Sequence, residues 1–207
     1  MGNENELTHH QSCPLPTFCE LALKVGHEIP DVANCLYGTH KRTKTVVGTP
    51  EYYYLLAGIT KLLQATQVLE VGTYLGGSAK ALATGMLSSG TLLTIDINQQ
   101  VAIASAGPTI LQIESDSTSP SASAQVFQAL QPPIDVLFID SHHTAEAVTA
   151  NLHLYAPTLQ PKFIILDDIH LNESMDKAWT SLADAYDAYD ASQLASRSCG
   201  FGVLRRE

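Results

Sequence analysis

The segment VLEVGTYLGGS, residues 68–78, contains a strand pattern, a glycine turn and the first residue of a helical segment. A strand that leads through such a turn into a helix presents backbone N–H groups at the helix start. These groups bind small polar or anionic ligands. The segment therefore predicts a ligand site at this turn.

The glycines of the turn match a dinucleotide-binding fingerprint only in part. That fingerprint has glycine at its first, third and sixth positions, which lets the backbone approach a pyrophosphate. The corresponding residues here are Gly72, Tyr74 and Gly77. Because the middle glycine is missing, an NAD- or FAD-dependent dehydrogenase is the weaker interpretation.

Beyond this turn, short β-rich runs alternate with longer mixed segments. The runs are QVLEV, TLLTID, TILQIE, IDVLFID and KFIILDD. Such alternation predicts an α/β protein with a mostly parallel sheet covered by helices. The runs VLFID and FIILDD are almost wholly apolar before their carboxylates, as expected of central strands. Their acidic ends are expected at the carboxyl edge of the sheet, where open α/β sheets bind ligands.

The segments on either side of this alternation are predicted to be mainly helical. Before residue 67, PTFCELALKVGHEI and PEYYYLLAGITKLLQ each indicate a helix that opens with a proline. Between them, YGTHKRTKTVVGTP carries Lys41 and Arg42 and is predicted to be a loop. After residue 170, NESMDKAWTSLADAYDAY indicates a helix. SQLASRSCGFGVLRRE indicates two short strands, broken at Gly200, that form an antiparallel edge.

Length, composition and charge exclude several function classes. The 207 residues fit one domain with an appendage, and 45% hydrophobic residues supply enough apolar surface for a core. Eleven Lys and Arg against 21 Asp and Glu give a formal net charge of −10, which repels nucleic-acid phosphates and anionic membranes. There is no bilayer-length apolar stretch and no signal-peptide pattern. We expect a cytoplasmic protein that binds neither nucleic acid nor membranes.

The cysteines show no spacing typical of a disulfide framework or a zinc site. They are Cys13, Cys19, Cys35 and Cys199. His9 and His10 could be combined with Cys13 and Cys19 as a metal site, but free thiols in a reducing compartment are the preferred interpretation.

Four motifs follow one another along the chain: VLEVGTYLGGSAKALA, LLTIDIN, IESDSTS and IDVLFIDSHH. In this order they resemble the motifs of class I S-adenosylmethionine-dependent methyltransferases. GTYLGGS is similar to the turn of catechol-type O-methyltransferases, and FIDSHH with ILDDIH is similar to small metal-dependent O-methyltransferases, including natural-product and sugar-modifying branches. The resemblance implies a Rossmann-like fold with a mostly parallel seven-stranded sheet and an antiparallel edge strand. It covers residues 50–207, the expected methyltransferase domain, behind an N-terminal helical lid and loop, residues 1–49.

The resemblance also implies where S-adenosylmethionine binds. The implied cofactor contacts are Glu70, Gly72, Thr73, Tyr74, Ser78, Asp96, Asp116, Ser117 and Asp140. The turn residues are assigned to the methionine part, Asp96 to the ribose, and Asp116 with Ser117 to the adenine. Independently of the resemblance, Glu70 and Asp96 end two predicted strands and would flank the crevice. Capping of a neighbouring loop or helix is the alternative role for each.

Three carboxylates are predicted to meet at the ends of two central strands: Asp140, Asp167 and Asp168. No Lys or Arg lies within four residues of any of them in sequence, so their mutual repulsion would be costly without a cation. Mg²⁺ or another divalent ion prefers oxygen ligands and would remove that cost, and the family's metal carboxylates match these positions. The alternative is that one of Asp167 and Asp168 caps the next helix. Catechol-type relatives have asparagine where Asp168 stands, whereas sugar-type relatives have an acidic residue.

Histidines follow both acidic strand ends. His143 is the predicted general base, with Asp140 as the second catalytic residue, because relatives place a base at this spacing and a helix N-terminus keeps an imidazole neutral. His142 is the competitor, since one step in the turn would exchange their directions. His170 is expected either to line the acceptor pocket, together with His142, or to lie on the loop surface.

These residues together predict a Mg²⁺-dependent O-methyltransferase that acts on a small hydroxylated molecule such as a natural product, a sugar or a phenol. The metal would polarise the acceptor hydroxyl while His143 removes its proton. The alternatives are a metal-independent methyltransferase acting on nitrogen or a carboxylate, and a non-catalytic module that binds S-adenosylmethionine. Relatives often dimerise through N-terminal helices, so a homodimer is compatible with the resemblance.

Overall fold

The computed structural model describes residues 13–39 and 46–206. The helices in these residues are α1 (Leu15–His27), α2 (Glu51–Leu62), α3 (Gly77–Gly85), α4 (Pro120–Ala129), α5 (Ala145–Leu159) and α6 (Glu173–Ala183). A 3₁₀ turn covers Pro30–Asn34. The strands are β1 (Gly38–Thr39), β2 (Val46–Val47), β3 (Gln67–Val71), β4 (Thr91–Asp96), β5 (Thr109–Glu114), β6 (Val136–Ile139), β7 (Phe163–Asp167), β8 (Asp187–Asp190) and β9 (Phe201–Arg205).

Seven of these strands form one sheet in the order β5-β4-β3-β6-β7-β9-β8. Neighbouring strands from β5 to β7 are parallel, and β9 is antiparallel to both β7 and β8. The predicted fold class is therefore confirmed. The antiparallel strand lies one place in from the edge, because β8 covers it. The short strands β1 and β2 form a separate antiparallel pair.

The central strands are buried because their sequences are apolar on both faces. Every residue of β6 and β7 is buried. One apolar cluster lies between the sheet and helices α1, α2 and α3, and a second lies between the sheet and helices α4, α5 and α6. The helices thus cover both faces of the sheet, and the ends of the strands remain accessible.

The predicted helix after residue 170 is too long. Helix α6 ends at Ala183, and residues 187–190 pair with β9 as strand β8. The first of the two strands predicted in the C-terminal segment is absent, since residues 192–199 form turns. Tertiary pairing with β9 overrides the helical pattern of the alternating Ala and Tyr residues.

The N-terminal helix α1 packs against the rest of the molecule. Phe18 is fully buried, and its ring stacks on Phe163 of β7 with 4.9 Å between centroids. Arg205 Nη1 donates to the Cys13 carbonyl over 2.7 Å. Cys19, Cys35 and Cys199 are free thiols, as predicted. Four residues named in the sequence analysis lie outside the described residues: His9, His10, Lys41 and Arg42. Among the helices within residues 13–39 and 46–206, none has the length and hydropathy needed to cross a bilayer.

Candidate active site

A cavity of about 860 Å³ opens at the carboxyl edge of the sheet. The loops that follow β3, β4, β5 and β6 form most of its wall, and Tyr37, Tyr52 and Tyr53 from the N-terminal part complete it. These loops converge because four neighbouring parallel strands end at the same edge. Most of the predicted site residues line this one cavity.

The glycine turn between β3 and α3 lies against the end of β6. Gly72 has φ 104°, and a Cβ atom there would lie 1.9 Å from the Asp140 carbonyl oxygen, so glycine is required. Tyr74, at the fingerprint's middle position, has φ 45°, in the left-handed region that favours glycine. The turn therefore keeps a glycine-like conformation without the middle glycine. Gly72, Thr73, Tyr74 and Ser78 all line the cavity.

Asp96, at the end of β4, is placed for both roles considered from sequence, which are ligand binding in the crevice and capping of a neighbouring loop. One carboxylate oxygen accepts hydrogen bonds from the backbone N–H groups of Thr73 (2.8 Å) and Tyr74 (2.7 Å). The other accepts from the Asn98 N–H over 3.0 Å. Asp96 thus caps the glycine turn and also lines the cavity.

Glu70 is fully buried below the turn and is not part of the cavity wall. Its Oε2 accepts a hydrogen bond from the Thr94 hydroxyl over 2.5 Å, and the Thr94 and Thr73 hydroxyls are 2.6 Å apart. Burial raises the pKa of Glu70 to about 7, although the hydroxyls of Ser78 and Thr94 oppose the shift. Glu70 can therefore reach a ligand only through its neighbours.

The loop after β5 forms another part of the cavity wall. Asp116 and Ser117 both line the cavity. The Thr118 backbone N–H and hydroxyl donate to Asp116 and lower the pKa of its carboxyl. The Tyr155 hydroxyl donates to the Ser117 carbonyl and fixes this loop to helix α5.

Asp140 and the two histidines that follow it lie between β6 and α5, and all three line the cavity. Burial, and then the nearby carboxylates of Asp167 and Glu70, raise the pKa of Asp140 well above its ordinary value. Nδ1 of His143 lies 3.3 Å from Asp168 Oδ2. His143 thus has a carboxylate partner on one ring nitrogen while its ring faces the cavity.

Asp167 and Asp168 bind an arginine that is 30 and 29 residues away in sequence. Arg197 Nε donates to Asp167 Oδ1 over 3.0 Å, and its Nη2 donates to Asp167 Oδ2 and, over 3.0 Å, to Asp168 Oδ1. Neither aspartate lines the cavity. A cation is therefore supplied from a distant part of the chain, which corrects the expectation of three uncompensated carboxylates.

The predicted metal ligands do not fit a divalent ion in this arrangement. In residues 13–39 and 46–206, no group of three or more His, Cys, Asp or Glu side chains is placed to hold a metal ion. The oxygens that would face a metal are bonded to a guanidinium instead. Mg²⁺ at Asp140, Asp167 and Asp168 thus stays a prediction that the donor set does not support.

The amino-acid sequence of the site region matches a known protein family. Residues 69–169, from the glycine-turn strand to the residue after Asp168, match the family model described as a methyltransferase domain. The chain contains a methyltransferase domain. The predicted enzyme class, a methyltransferase, is confirmed. Among curated proteins, no sequence matches this chain.

Two solved structures are similar to this chain to different degrees. An SAH-bound methyltransferase from Podospora anserina superposes with a TM-score of 0.56 at 15% identity, covering 100% of this chain and 97% of that one. An O-methyltransferase from Bacillus cereus in complex with SAH gives a TM-score of 0.49 at 16% identity, covering 89% and 90% of the two chains. The first of these similarities supports the Rossmann-like methyltransferase fold.

His170, predicted as a possible pocket residue, does not line the cavity of the methyltransferase domain. Its Nδ1 lies 2.6 Å from Asp176 Oδ1 and its Nε2 lies 2.8 Å from Asp190 Oδ2. Hydrogen bonds with Asp176, and then with Asp190, raise the pKa of His170. His170 thus connects the start of α6 with β8.

Several residues of the methyltransferase domain's cavity could not be identified from the sequence motifs. Asn151 on α5 is buried, its amide nitrogen donates to the Ala147 carbonyl over 2.9 Å, and its Oδ1 has no partner within residues 13–39 and 46–206. The Ser141 hydroxyl is also buried and has no partner in these residues. Asn151 lies beyond the motifs, and only its helical spacing from Ala147 could have indicated a shared face. Ser141 stands inside the IDVLFIDSHH motif, between Asp140 and His142, but its residue type alone indicates no role there. The sequence gives only indirect evidence for Arg197. A buried Asp pair requires a positive partner, but the sequence does not specify which residue or ion supplies it.

Proposed function

We propose that this protein transfers a methyl group from S-adenosylmethionine to a hydroxyl group of a small molecule. The observation that supports this best is that one cavity is lined by both the glycine turn with Asp96 and by His143. A cofactor on the turn and an acceptor beside the histidine would therefore share one enclosed space. The SAH in the Podospora anserina methyltransferase is the product that remains after methyl donation, and it supports the same cofactor here.

The cofactor is proposed to lie along the strand ends. Gly72, Thr73, Tyr74 and Ser78 would hold the methionine part, the free lone pairs of Asp96 the ribose hydroxyls, and the Asp116–Ser117 loop the adenine. On the same wall, Asn151 offers a buried Oδ1 that has no partner in the described part of the chain. Because Glu70 is shielded from the cavity, its proposed contribution is to support the turn through Thr94 and Thr73.

His143 is proposed to act as the general base. Asp168 holds one ring nitrogen, which leaves the other free to accept the proton of the acceptor hydroxyl. As the O–H bond breaks, the oxygen lone pair would attack the methyl carbon. The C–S bond would break as the new C–O bond forms, and its electron pair would stay on sulfur in neutral SAH. The remaining task of the protein is to align oxygen and methyl carbon and to exclude water.

The acceptor is proposed to bind near the tyrosines. Tyr37 and Tyr74 form a tilted aromatic pair with 6.3 Å between centroids, and both line the cavity. Tyr37 belongs to the segment before residue 50, which supports a role of that segment as a lid over the acceptor. A phenol or another planar hydroxylated molecule fits such a wall by aromatic contact.

Calorimetric titration with SAH tests the cofactor site. Asp96→Asn keeps an oxygen for the turn amides but removes the charge that would bind the ribose, so we expect SAH binding to weaken about tenfold or more. The matched control is Glu114→Gln, because Glu114 pairs with Asp96 in the β4–β5 register and does not line the cavity. Failure of the wild-type protein to bind SAH would reject the proposal.

A screen of catechols, phenols and polyols with labelled S-adenosylmethionine tests the acceptor. We expect His143→Gln to lower kcat about 10²–10⁴-fold while SAH binding stays close to that of the wild type. His142→Gln is the comparison variant, since His142 lines the cavity without a carboxylate contact of this kind in the described residues. Methylation of amines or carboxylates alone would instead favour the alternative class of methyltransferase.

A further inference from the structure

The carboxylates of Asp167 and Asp168 converge on a single atom, Nη2 of Arg197. Carboxylate oxygens gathered around one positive centre are the arrangement that divalent cations take in oxygen-ligand sites. Here the positive centre is a guanidinium nitrogen of the chain itself. Arg197 binds Asp167 through two parallel hydrogen bonds, one from Nε and one from Nη2. Such bidentate pairing is directional and fits a planar guanidinium, whereas a metal ion binds carboxylate oxygens without hydrogen bonds.

Arg197 is also held by contacts other than these carboxylates. Its guanidinium carbon lies 4.8 Å from the centre of the Tyr52 ring, close enough for a cation–π interaction. Its backbone N–H donates to the Ser192 carbonyl over 2.9 Å, and its carbonyl accepts from the Gly200 N–H over 3.1 Å. Admission of a metal ion between the aspartates would require the guanidinium to leave both carboxylates and the Tyr52 ring.

Asp168 connects Arg197 with the proposed base. One of its oxygens accepts from Arg197, and the other lies 3.3 Å from His143 Nδ1. Its backbone has φ 56°, in the left-handed region that residues other than glycine adopt infrequently. The Asp168 N–H donates to the Gly200 carbonyl over 3.0 Å, so the loop that carries Arg197 also fixes the backbone of Asp168. The order of contacts is thus Arg197, Asp168, His143.

We propose that Arg197 takes the place of a divalent cation in this site, so that methyl transfer needs no metal and Arg197 acts as a positioning residue for Asp168 and His143. This inference rests on the proposed function, because it concerns how the same reaction is supported. Arg197 does not line the cavity, so it acts through Asp168 and does not touch the acceptor. Removal of the acceptor's proton then depends on His143 without Lewis-acid assistance.

Titration of Mn²⁺ into chelator-treated protein tests the inference without an acceptor. We expect the wild type to show no saturable Mn²⁺ binding at millimolar concentrations. Arg197→Ala vacates the point between Asp167 and Asp168, so we expect it to gain saturable Mn²⁺ binding and a higher Tm in the presence of Mn²⁺. Arg197→Lys keeps a cation and should bind no Mn²⁺. The matched control is Arg206→Ala, which removes an exposed arginine.

Saturable Mn²⁺ binding by the wild type that Asp167→Asn abolishes would overturn the inference. A folded Arg197→Ala variant that gains no Mn²⁺ binding would also overturn it, since the guanidinium would then not be occupying a cation position. Circular dichroism reports whether that variant folds. If it does not, Arg197→Gln, which removes the charge but keeps hydrogen-bonding groups, provides the same comparison.

Activity supplies an independent readout once an acceptor is found. We expect EDTA to leave the wild-type rate unchanged, and Arg197→Gln to lower kcat at least tenfold with little change in the KM for S-adenosylmethionine. Arg197→Lys should restore part of kcat. An EDTA-sensitive wild-type rate that added Mg²⁺ restores would contradict the inference. SAH titration of the same samples judges the proposed function separately, because failure of SAH binding rejects methyl transfer whatever the Mn²⁺ result.

Discussion

Glu70 lies in a chain of polar groups that begins below the glycine turn and reaches the cavity wall. The Thr94 hydroxyl bridges Glu70 Oε2 and the Thr73 hydroxyl, and Gln99 Nε2 donates to the Thr73 hydroxyl over 3.2 Å. A buried network of this kind is stable only when its members are hydrogen-bonded. The protonation state of Glu70 therefore affects the turn that the cofactor is proposed to bind.

The raised pKa of Glu70 predicts a specific pH dependence of stability. The folded protein keeps the Glu70 proton up to about pH 7, whereas an ordinary glutamate loses it near 4.5. The folded state then binds more protons than the unfolded state between these values, so stability falls as the pH rises through this window. We expect wild-type stability to decline between about pH 4.5 and pH 7 relative to Glu70→Gln, as measured by urea unfolding.

The control for this experiment is Glu114→Gln, which removes an exposed carboxylate at the end of the neighbouring strand β5. It should follow the wild-type curve. If wild type and Glu70→Gln show parallel pH profiles, the pKa of Glu70 is not raised in the folded protein.

Individual residues could be predicted from sequence only where a motif fixes their place. Asp96, Asp140 and His143 follow recognisable strands, and all three line the cavity. Arg197 could not be assigned, because its pairing with Asp167 spans 30 residues and depends on how the β8–β9 connection folds back. A buried acidic pair needs a positive partner, and here the guanidinium of Arg197 is that partner in place of the predicted ion.

At the scale of elements, the glycine turn is part of the contact between β3 and β6. The backbone at Gly72 approaches the Asp140 carbonyl so closely that any side chain would collide with it. We expect Gly72→Ala to lower the free energy of unfolding by about 3 kcal/mol or more, because it combines a backbone clash with positive-φ strain. Thermal or urea unfolding measures this effect.

The matched control for Gly72→Ala is Gly107→Ala. A Cβ atom at Gly107 would have only the Ser105 hydroxyl oxygen nearby, at 3.8 Å, so its effect should stay within about 0.5 kcal/mol. Equal losses of stability in the two variants would show that the turn does not require glycine for close approach.

Strand sequences could be assigned with more success than the segment after residue 170. The apolar runs of β6 and β7 can only be buried strands at their length, and they occupy central places in the sheet. The sequence of β8 is short, and its residues are only partly buried or exposed, so its pattern also fits a helix. Its strand conformation depends on β9, a partner that local sequence does not reveal.

At the scale of the whole molecule, α1 contributes to the same apolar cluster as the sheet. Phe18 of α1, Phe163 of β7 and Phe201 of β9 belong to one cluster. We expect Phe18→Ala to lower the free energy of unfolding by about 3–5 kcal/mol, in line with other buried aromatic truncations. We also expect the molecule to unfold in a single transition, as followed by circular dichroism and tryptophan fluorescence.

Thr17→Ala is the control for Phe18→Ala, because Thr17 is the exposed neighbour on the same helix. Its effect should be small. A separate early transition in the wild type, removed by Phe18→Ala without a change in the main one, would indicate that α1 unfolds independently of the sheet.

The position of β9 between β7 and β8 sets an order for biosynthesis. A nascent chain that has emerged from the ribosome only to residue 190 already contains β7 and β8, but the strand that joins them is missing. The outer edge of β7 then exposes unpaired backbone groups, which favour aggregation. The same incomplete chain lacks Arg197, so Asp167 and Asp168 have no counter-charge. Closure of the sheet and neutralisation of the site thus occur together late in synthesis, and chains interrupted before that step are expected to be removed by chaperones and proteases.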